Sequence, residues 1–121
     1  MSDFPAPLFS IVIPTYNRAE GYLRLAIEAA VAQNFPDLEI LISDNCSTDG
    51  TEALVRSFMD ARIRYVKHSV NLGPVGNFKY CIEQARGHYW LMLHDDDLID
   101  ADFISTCVAA TKGRLDYGMI R

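Results

Sequence analysis

The chain has 121 residues, half of them apolar, and 11 basic against 16 acidic side chains give a formal net charge of −5. This length fits a single domain with a real core, since domains commonly run to about 100–200 residues. The acidic balance, with no basic stripe, argues against binding to a nucleic-acid backbone. Three scattered cysteines without CxxC spacing indicate reduced thiols and argue against a disulfide framework or a zinc site.

The ends of the chain and its apolar runs bear on location. Residues 1–8 are predicted to be a flexible N-terminal segment, and they lack the basic and apolar regions of a signal peptide. No apolar run approaches the roughly 20 residues of a membrane-spanning helix. These features predict a cytoplasmic protein, and peripheral docking at the inner face of a membrane is left open.

Hydrophobic periodicity predicts four strands that alternate with four helices. Strands are predicted at 9–14, 38–43, 63–68 and 88–93, the third of them near a sheet edge. Helical spacing predicts a first helix containing Leu23, a second opened by a capping box of Asp49 and Glu52, a third running from Gly73 to Gly87, and a last one from about Phe103. The alternation favours an α/β fold with a mainly parallel sheet and helices on both faces.

Polar, turn-forming segments follow each predicted strand. They are PTYNR at 14–18, DNCSTDGT at 44–51, NLGPVGN at 71–77 and HDDD at 94–97, whereas the opposite strand ends look blander. Ligands of open α/β sheets bind outside the carboxyl ends of the strands, so this pattern predicts a ligand site there. Two alternatives to a ligand role stay open. Asn17 could serve only as the cap of the first helix, and Asp44 and Asn45 could serve only to form a turn.

Three adjacent aspartates, Asp95, Asp96 and Asp97, follow the apolar fourth strand. Their mutual repulsion raises the cost of keeping all three ionised. A divalent cation removes that cost, and close carboxylate oxygens suit Mg²⁺ or Mn²⁺. The cluster therefore predicts a cation site rather than a solvated turn. His94 is either a partner of this site or the polar end of the strand, and the second interpretation is favoured.

The segments FSIVIPTYNR, LEILISDNCSTDGT and NLGPVGNFKYCIEQARGHYWLMLHDDD occur in this order and spacing from about Phe9 to Phe103. Together they resemble the nucleotide-sugar-binding half of the family 2 inverting glycosyltransferases, which have the GT-A fold. The resemblance implies that residues 9–121 form this half of a GT-A domain and that the acceptor-binding half is missing.

The resemblance also implies roles for individual residues. The implied nucleotide-sugar contacts are Pro14, Thr15, Tyr16, Arg18, Asp44, Asn71, Gly73 and Asp95. In this set the first four lie against the base, Asp44 hydrogen-bonds it (typically at the N3–H of uracil), and the next two close over the nucleotide. Asp96 is implied as the main metal ligand, supported by Asp95 and Asp97. Many members carry the first motif aspartate where this chain has His94, so the division of ribose and metal roles stays open.

The implied reaction is metal-dependent, inverting transfer of a sugar from a nucleotide-diphospho-sugar, with a UDP-sugar favoured. The implied acceptor is a glycan or lipid-linked saccharide, in polysaccharide, lipopolysaccharide or glycan synthesis. The family's general base lies well downstream of the aspartates, so it is expected beyond Arg121 and the chain alone is expected to be inactive. The alternative is a nucleotide-binding module without turnover. Self-association through an exposed strand edge is also expected.

Overall fold

The computed structural model describes residues 7–94 and 99–111. Within these ranges eight elements alternate along the chain: β1 (Phe9–Thr15), α1 (Leu23–Val31), β2 (Leu38–Asp44), α2 (Thr51–Arg56), β3 (Ile63–Lys67), α3 (Gly73–Gln84), β4 (Tyr89–Met92) and α4 (Phe103–Thr111). This order confirms the predicted alternation, with strand boundaries shifted by one residue. No helix in the described part of the chain is long and apolar enough to cross a membrane.

The strands of the described residues form one parallel sheet in the order β3-β2-β1-β4. β1 pairs with β2 along its whole length, from Phe9 opposite Leu38 to Thr15 opposite Asp44. Every residue of β1 and β2 is buried, as expected for central strands covered on both faces. β3 lies at one edge, which confirms its predicted position, and all four carboxyl ends point the same way.

Helices cover both faces of the sheet, as predicted. One face packs its alternate residues against α1, α2 and α4 in a core that includes Ile11, Ile13, Ile40, Ile42, Leu23, Ala26, Ile27, Leu54 and Ile104. The opposite face is smaller, with Val12 and Leu41 packed against Cys81 of α3. Successive strand residues point to opposite faces, so β1 and β2 contribute to both cores.

Two of the predicted helix boundaries are wrong. Helix α2 begins at Thr51 and its cap position is Gly50, so Asp49 and Glu52 do not form a capping box. The Glu52 carboxylate instead pairs with Arg56 and Lys67, away from the helix start. Helix α3 ends at Gln84, three residues before Gly87.

The close approach of β4 to β1 explains the glycine at position 87. A Cβ at Gly87 would lie 2.7 Å from both the carbonyl carbon of Phe9 and the nitrogen of Ser10. The Gly87 N–H donates to Ser10 Oγ at 2.8 Å, which fixes the entry of β4 into the sheet. Glycine is therefore required here for close packing.

The amino ends of the strands are less bland than the sequence suggested, because they carry the buried carboxylate of Glu39. Its Oε2 accepts from Ser10 Oγ at 2.7 Å and from the Arg86 N–H at 2.6 Å. Its Oε1 lies 3.2 Å from the Arg64 guanidinium. The charge of Glu39 is thus neutralised and fully hydrogen-bonded.

Candidate functional site

A cleft of about 290 Å³ lies at the carboxyl edge of the sheet. The described residues that line it are Pro14, Thr15, Tyr16, Arg18, Asn45, Asn71, Pro74, Asn77, Phe78 and His94. They come from the carboxyl end of β1 and from the segments that follow the four strands, so the four polar strand exits meet at one place. The predicted ligand edge is therefore the edge that holds the cleft.

The structure brings five of the predicted nucleotide-sugar contacts into this lining. They are Pro14, Thr15, Tyr16, Arg18 and Asn71. Asp44 and Gly73 are not among the residues that line the cleft. Asp95, and with it the predicted metal ligands Asp96 and Asp97, lies outside the described residues. Within the described ranges, no group of three or more His, Cys, Asp or Glu side chains is placed to hold a metal ion.

Four lining residues were missed from the sequence: Asn45, Pro74, Asn77 and Phe78. Asn45 directly follows Asp44 in the turn after β2, and a turn asparagine carries no separate signal for a ligand contact. The other three lie in the first two turns of α3, which begins beside the cleft. The helical spacing from position 74 to 77 and 78 puts these residues on one side of the helix, and this signal was present in the sequence.

The loop after β1 is fastened to the loop after β2. The Asn17 N–H donates to Ser47 Oγ at 2.8 Å, and Asn17 Oδ1 accepts from the Thr48 N–H at 2.8 Å. Asn17 has a left-handed backbone with φ 52°, and α1 starts only at Leu23. Asn17 therefore does not cap a helix. Its hydrogen bonds hold the loop after β1 against the loop after β2, next to the cleft.

Asp44 ends β2 as a completely buried side chain. Its Oδ1 accepts from the Ser47 N–H at 2.9 Å and its Oδ2 from the Tyr65 hydroxyl at 2.5 Å. Burial, together with the nearby Asp44 carboxylate, raises the pKa of Tyr65, so the phenol stays protonated and keeps donating. In this arrangement Asp44 closes the turn after β2, in line with the alternative that the sequence left open, and any contact with a base must use its remaining lone pairs.

Asn45 holds the loop between β3 and α3 in place. Its Oδ1 accepts from the Leu72 N–H at 2.6 Å, and its Nδ2 donates to Asn71 Oδ1 at 3.0 Å and to the Gly73 carbonyl at 3.2 Å. Gly73 has a φ of 76°, a left-handed conformation that glycine adopts without strain. The buried Asn45 side chain thus sets the position of Asn71 at the cleft.

The walls of the cleft combine flat apolar groups with polar ones. Tyr16 is 45 % exposed, and the Phe78 ring meets the His94 ring edge to face at 5.5 Å. Arg18 adds a positive charge, and Asn45, Asn71 and Asn77 add amides. Such a lining suits a planar heterocycle attached to an anionic group.

Comparison with known proteins identifies the family. The model of glycosyl transferase family 2 matches residues 10–117. This chain belongs to that family. Its family 2 relatives include the GalNAc(5)-diNAcBac-PP-undecaprenol beta-1,3-glucosyltransferase of Campylobacter jejuni, 37 % identical over 83 % of this chain and 33 % of the relative. The abequosyltransferase RfbV of Salmonella typhimurium is 40 % identical over 81 % of this chain and 31 % of the relative.

Solved structures confirm the GT-A fold of this family 2 chain. S. aureus TarS 1-349 in complex with UDP-GlcNAc has a TM-score of 0.79 and 28 % identity over 86 % of this chain and 31 % of that chain. The mannosyltransferase PcManGT of Pyrobaculum calidifontis, in complex with GDP-Man and Mn²⁺, shares the fold with a TM-score of 0.76 at 23 % identity, over 90 % of this chain and 33 % of that chain. The chain spans about a third of the length of the curated relatives it matches.

Proposed function

We propose that this chain is the donor-binding part of an enzyme that transfers a sugar from a nucleotide-diphospho-sugar to an acceptor hydroxyl. The observation that carries the proposal is the carboxyl-edge cleft, where five of the predicted nucleotide contacts meet. The similar TarS protein binds UDP-GlcNAc, which supports a UDP-sugar as the donor. The named functions of the relatives support a role in polysaccharide, lipopolysaccharide or glycan synthesis.

In this proposal the residues in and beside the cleft have separate roles. Tyr16 and Phe78 flank the base, and Arg18 faces the negative charge of the diphosphate. Asn71 and Gly73, held by Asn45, close over the nucleotide. Asp44 contacts the base only if an oxygen lone pair that Tyr65 and Ser47 leave unused reaches it.

The aspartates Asp95, Asp96 and Asp97 are proposed to hold a divalent cation, Mn²⁺ or Mg²⁺. Hard carboxylate oxygens fit such an ion, and in the sequence the three aspartates directly follow His94, a residue of the cleft lining. A bound cation supplies Lewis-acid stabilisation of the negative charge on the leaving diphosphate.

Inversion requires a general base that takes the proton of the acceptor hydroxyl as it attacks from the face opposite the diphosphate. We place this base beyond Arg121, together with the acceptor site for a glycan or lipid-linked saccharide. The chain alone then binds its donor without turnover, and the enzyme works in the cytoplasm or at the inner face of a membrane. The undecaprenol-linked substrate in the name of one relative supports a membrane-associated acceptor.

Calorimetric titration of the chain with UDP-GlcNAc and GDP-mannose, with and without Mn²⁺, tests the proposal. We expect metal-dependent binding that weakens at least about tenfold in Asp96→Ala, because the ion loses a ligand. The exposed Asp37 at the other end of the sheet gives a matched control, Asp37→Ala, which should bind like the wild type. Equal binding without metal and in Asp96→Ala would overturn the cation site, and no binding of any nucleotide-sugar would overturn the function.

Self-association through the sheet edge stays a prediction. Sedimentation equilibrium of the chain tests this prediction, because a dimer has twice the mass of a monomer. A monomer at high protein concentration would contradict the prediction.

A further inference from the structure

Behind the cleft, Asn77 belongs to a small buried network of polar side chains. It lies in α3, is 3 % exposed and contributes to the cleft lining. Its partners are Ser43, a fully buried residue of β2, and His68, which directly follows β3. None of these three residues was a predicted site residue, and the network links three elements to one point of the cleft wall.

The contacts with Ser43 fix the orientation of the Asn77 amide. Nδ2 of Asn77 lies 3.0 Å from the Ser43 carbonyl oxygen, which can only accept, so the nitrogen and not the oxygen must be on this side. Oδ1 of Asn77 then accepts from the Ser43 hydroxyl at 2.5 Å. The amide is held at both of its polar atoms.

His68 completes the network and leaves a single consistent set of donors. Its Nε2 lies 2.8 Å from Ser43 Oγ and 3.2 Å from Asn77 Oδ1. The Ser43 hydroxyl donates its one hydrogen to Asn77. Ser43 Oγ and Asn77 Oδ1 are therefore both acceptors toward Nε2 of His68, so Nε2 must carry a hydrogen. The His68 ring is also held by an edge-to-face contact with Tyr80, at 4.4 Å between centroids.

One N–H of the Asn77 amide therefore has no acceptor among the described residues. Nδ2 has two hydrogens, and across residues 7–94 and 99–111 its acceptor is the Ser43 carbonyl alone. Asn77 borders the cleft, whose lining also includes Phe78 and Pro74. A buried donor without an acceptor is costly, so a ligand that supplies an acceptor gains that energy when it binds.

We propose that Asn77 is a ligand-binding residue whose second amide N–H donates to a carbonyl oxygen of the nucleobase, with Ser43 and His68 as positioning residues. This inference rests on the proposed function of the cleft. A base carbonyl fits better than a phosphate because the donor is neutral and the lining of the cleft includes the rings of Tyr16 and Phe78. The consequence is specificity, since uracil and guanine carry such an oxygen and adenine does not.

The test combines a change in the ligand with a change in the protein. UDP, 2-thio-UDP and 4-thio-UDP are titrated into the wild-type chain and into Asn77→Ala, with 6-thio-GDP and GDP instead if GDP binds more tightly. Sulfur accepts hydrogen bonds weakly, so one thio analogue should bind the wild type about fivefold to tenfold more weakly than its parent. In Asn77→Ala the parent should lose a similar factor, and the ratio between parent and analogue should fall to near one.

Matched variants separate the donor from its support. Ser43→Ala removes the hydroxyl that orients the amide, so it should weaken UDP binding a few-fold while the analogue stays discriminated. Glu83→Gln, an exposed change on the same helix, should leave every affinity unchanged. The wild-type measurement with thio analogues needs no variant, so it decides the matter even if Asn77→Ala does not fold.

The outcomes are distinct. If the wild type binds nucleotides but neither position of the base discriminates sulfur from oxygen, the role of Asn77 is overturned while the proposed function stands. The same holds if the discrimination persists in Asn77→Ala. If the wild type binds no nucleotide, the proposed function fails, and this inference fails with it.

Discussion

The two ends of the parallel sheet both bury polar side chains, but they use them differently. At the amino end the carboxylate of Glu39 accepts hydrogen bonds from the Ser10 hydroxyl and the Arg86 N–H and forms an ion pair with Arg64. At the carboxyl end the buried polar side chains that line the cleft include two neutral amides, Asn45 and Asn77. Burying a charge costs more than burying a neutral amide, so an amide can keep a donor for a ligand at a smaller cost.

Backbone strain divides the two ends in the same way. The non-glycine residues of the described chain with left-handed backbones are Asn17 and Cys46, and both lie in loops at the carboxyl end. Such residues cost about 1–3 kcal/mol each and persist where the surroundings hold them. In the described residues, the strained non-glycine backbones therefore lie in the loops at the candidate site and not at the amino ends of the strands.

The largest expected effect is at the amino end, in Glu39→Ala. Removal of this carboxylate leaves the Ser10 hydroxyl and the Arg86 N–H without their acceptor, so the free energy of unfolding should fall by about 3 kcal/mol. Urea denaturation measures the loss, and Glu39→Gln, which keeps one oxygen, should lose less. Nucleotide affinity of the folded variant should match that of the wild type. A weakened affinity would show that the two ends are coupled.

An intermediate effect is expected at the carboxyl end, in Asn45→Ala. The variant loses three hydrogen bonds to the loop at 71–73, which should lower the free energy of unfolding by about 1–2 kcal/mol. Because the loop then loses its position at the cleft, nucleotide affinity should fall about tenfold. Parallel urea melts and calorimetry measure both quantities. A stability loss with unchanged affinity would contradict the proposed role of this loop.

The smallest effect is expected for Asp60→Asn, just before β3 at the amino end. Hydrogen bonds from the Arg62 side chain, the largest favourable influence, hold the pKa of Asp60 below its usual value of 3.8. A lowered folded-state pKa gives stability that is present above pH 3.8 and is lost as the pH falls through the folded value. Because the pair is partly exposed, the difference from wild type at pH 7 should be about 1 kcal/mol. Urea melts from pH 7 to pH 2 should show the gap closing, and a constant gap would argue against the ion pair as its cause.

The sequence was sufficient for the fold because its signals are local and repeated. β1 and β2 are short, mainly apolar runs, as expected of strands buried on both faces, and the apolar faces of α1 and α3 repeat with the helical period. The helix boundaries failed where tertiary contacts decide them. Glu52 has the spacing of a capping box, yet Arg56 and Lys67 attract its carboxylate away from the helix start.

The site was predictable in location and partly in composition. The edge followed from the polar strand exits, and Tyr16, Arg18 and Asn71 line the cleft, while their contacts with a nucleotide stay predictions. The sequence could not show that Asp44 is buried against Tyr65, because this contact joins strands 21 residues apart. Whether these residues bind a nucleotide-sugar is a prediction that the titrations described above test.

Cys46, which has a left-handed backbone in the loop after β2, is also a suitable site for labelling the chain. Burial raises the pKa of the Cys81 thiol to about 11 and also raises that of Cys107, so both are poor nucleophiles at neutral pH. Cys46 is half-buried and directly follows the cleft residue Asn45, and its Sγ lies 3.6 Å from the Ser69 carbonyl oxygen, a long contact. A thiol-directed fluorophore should therefore attach first at Cys46, where its emission would report on any ligand that enters the cleft.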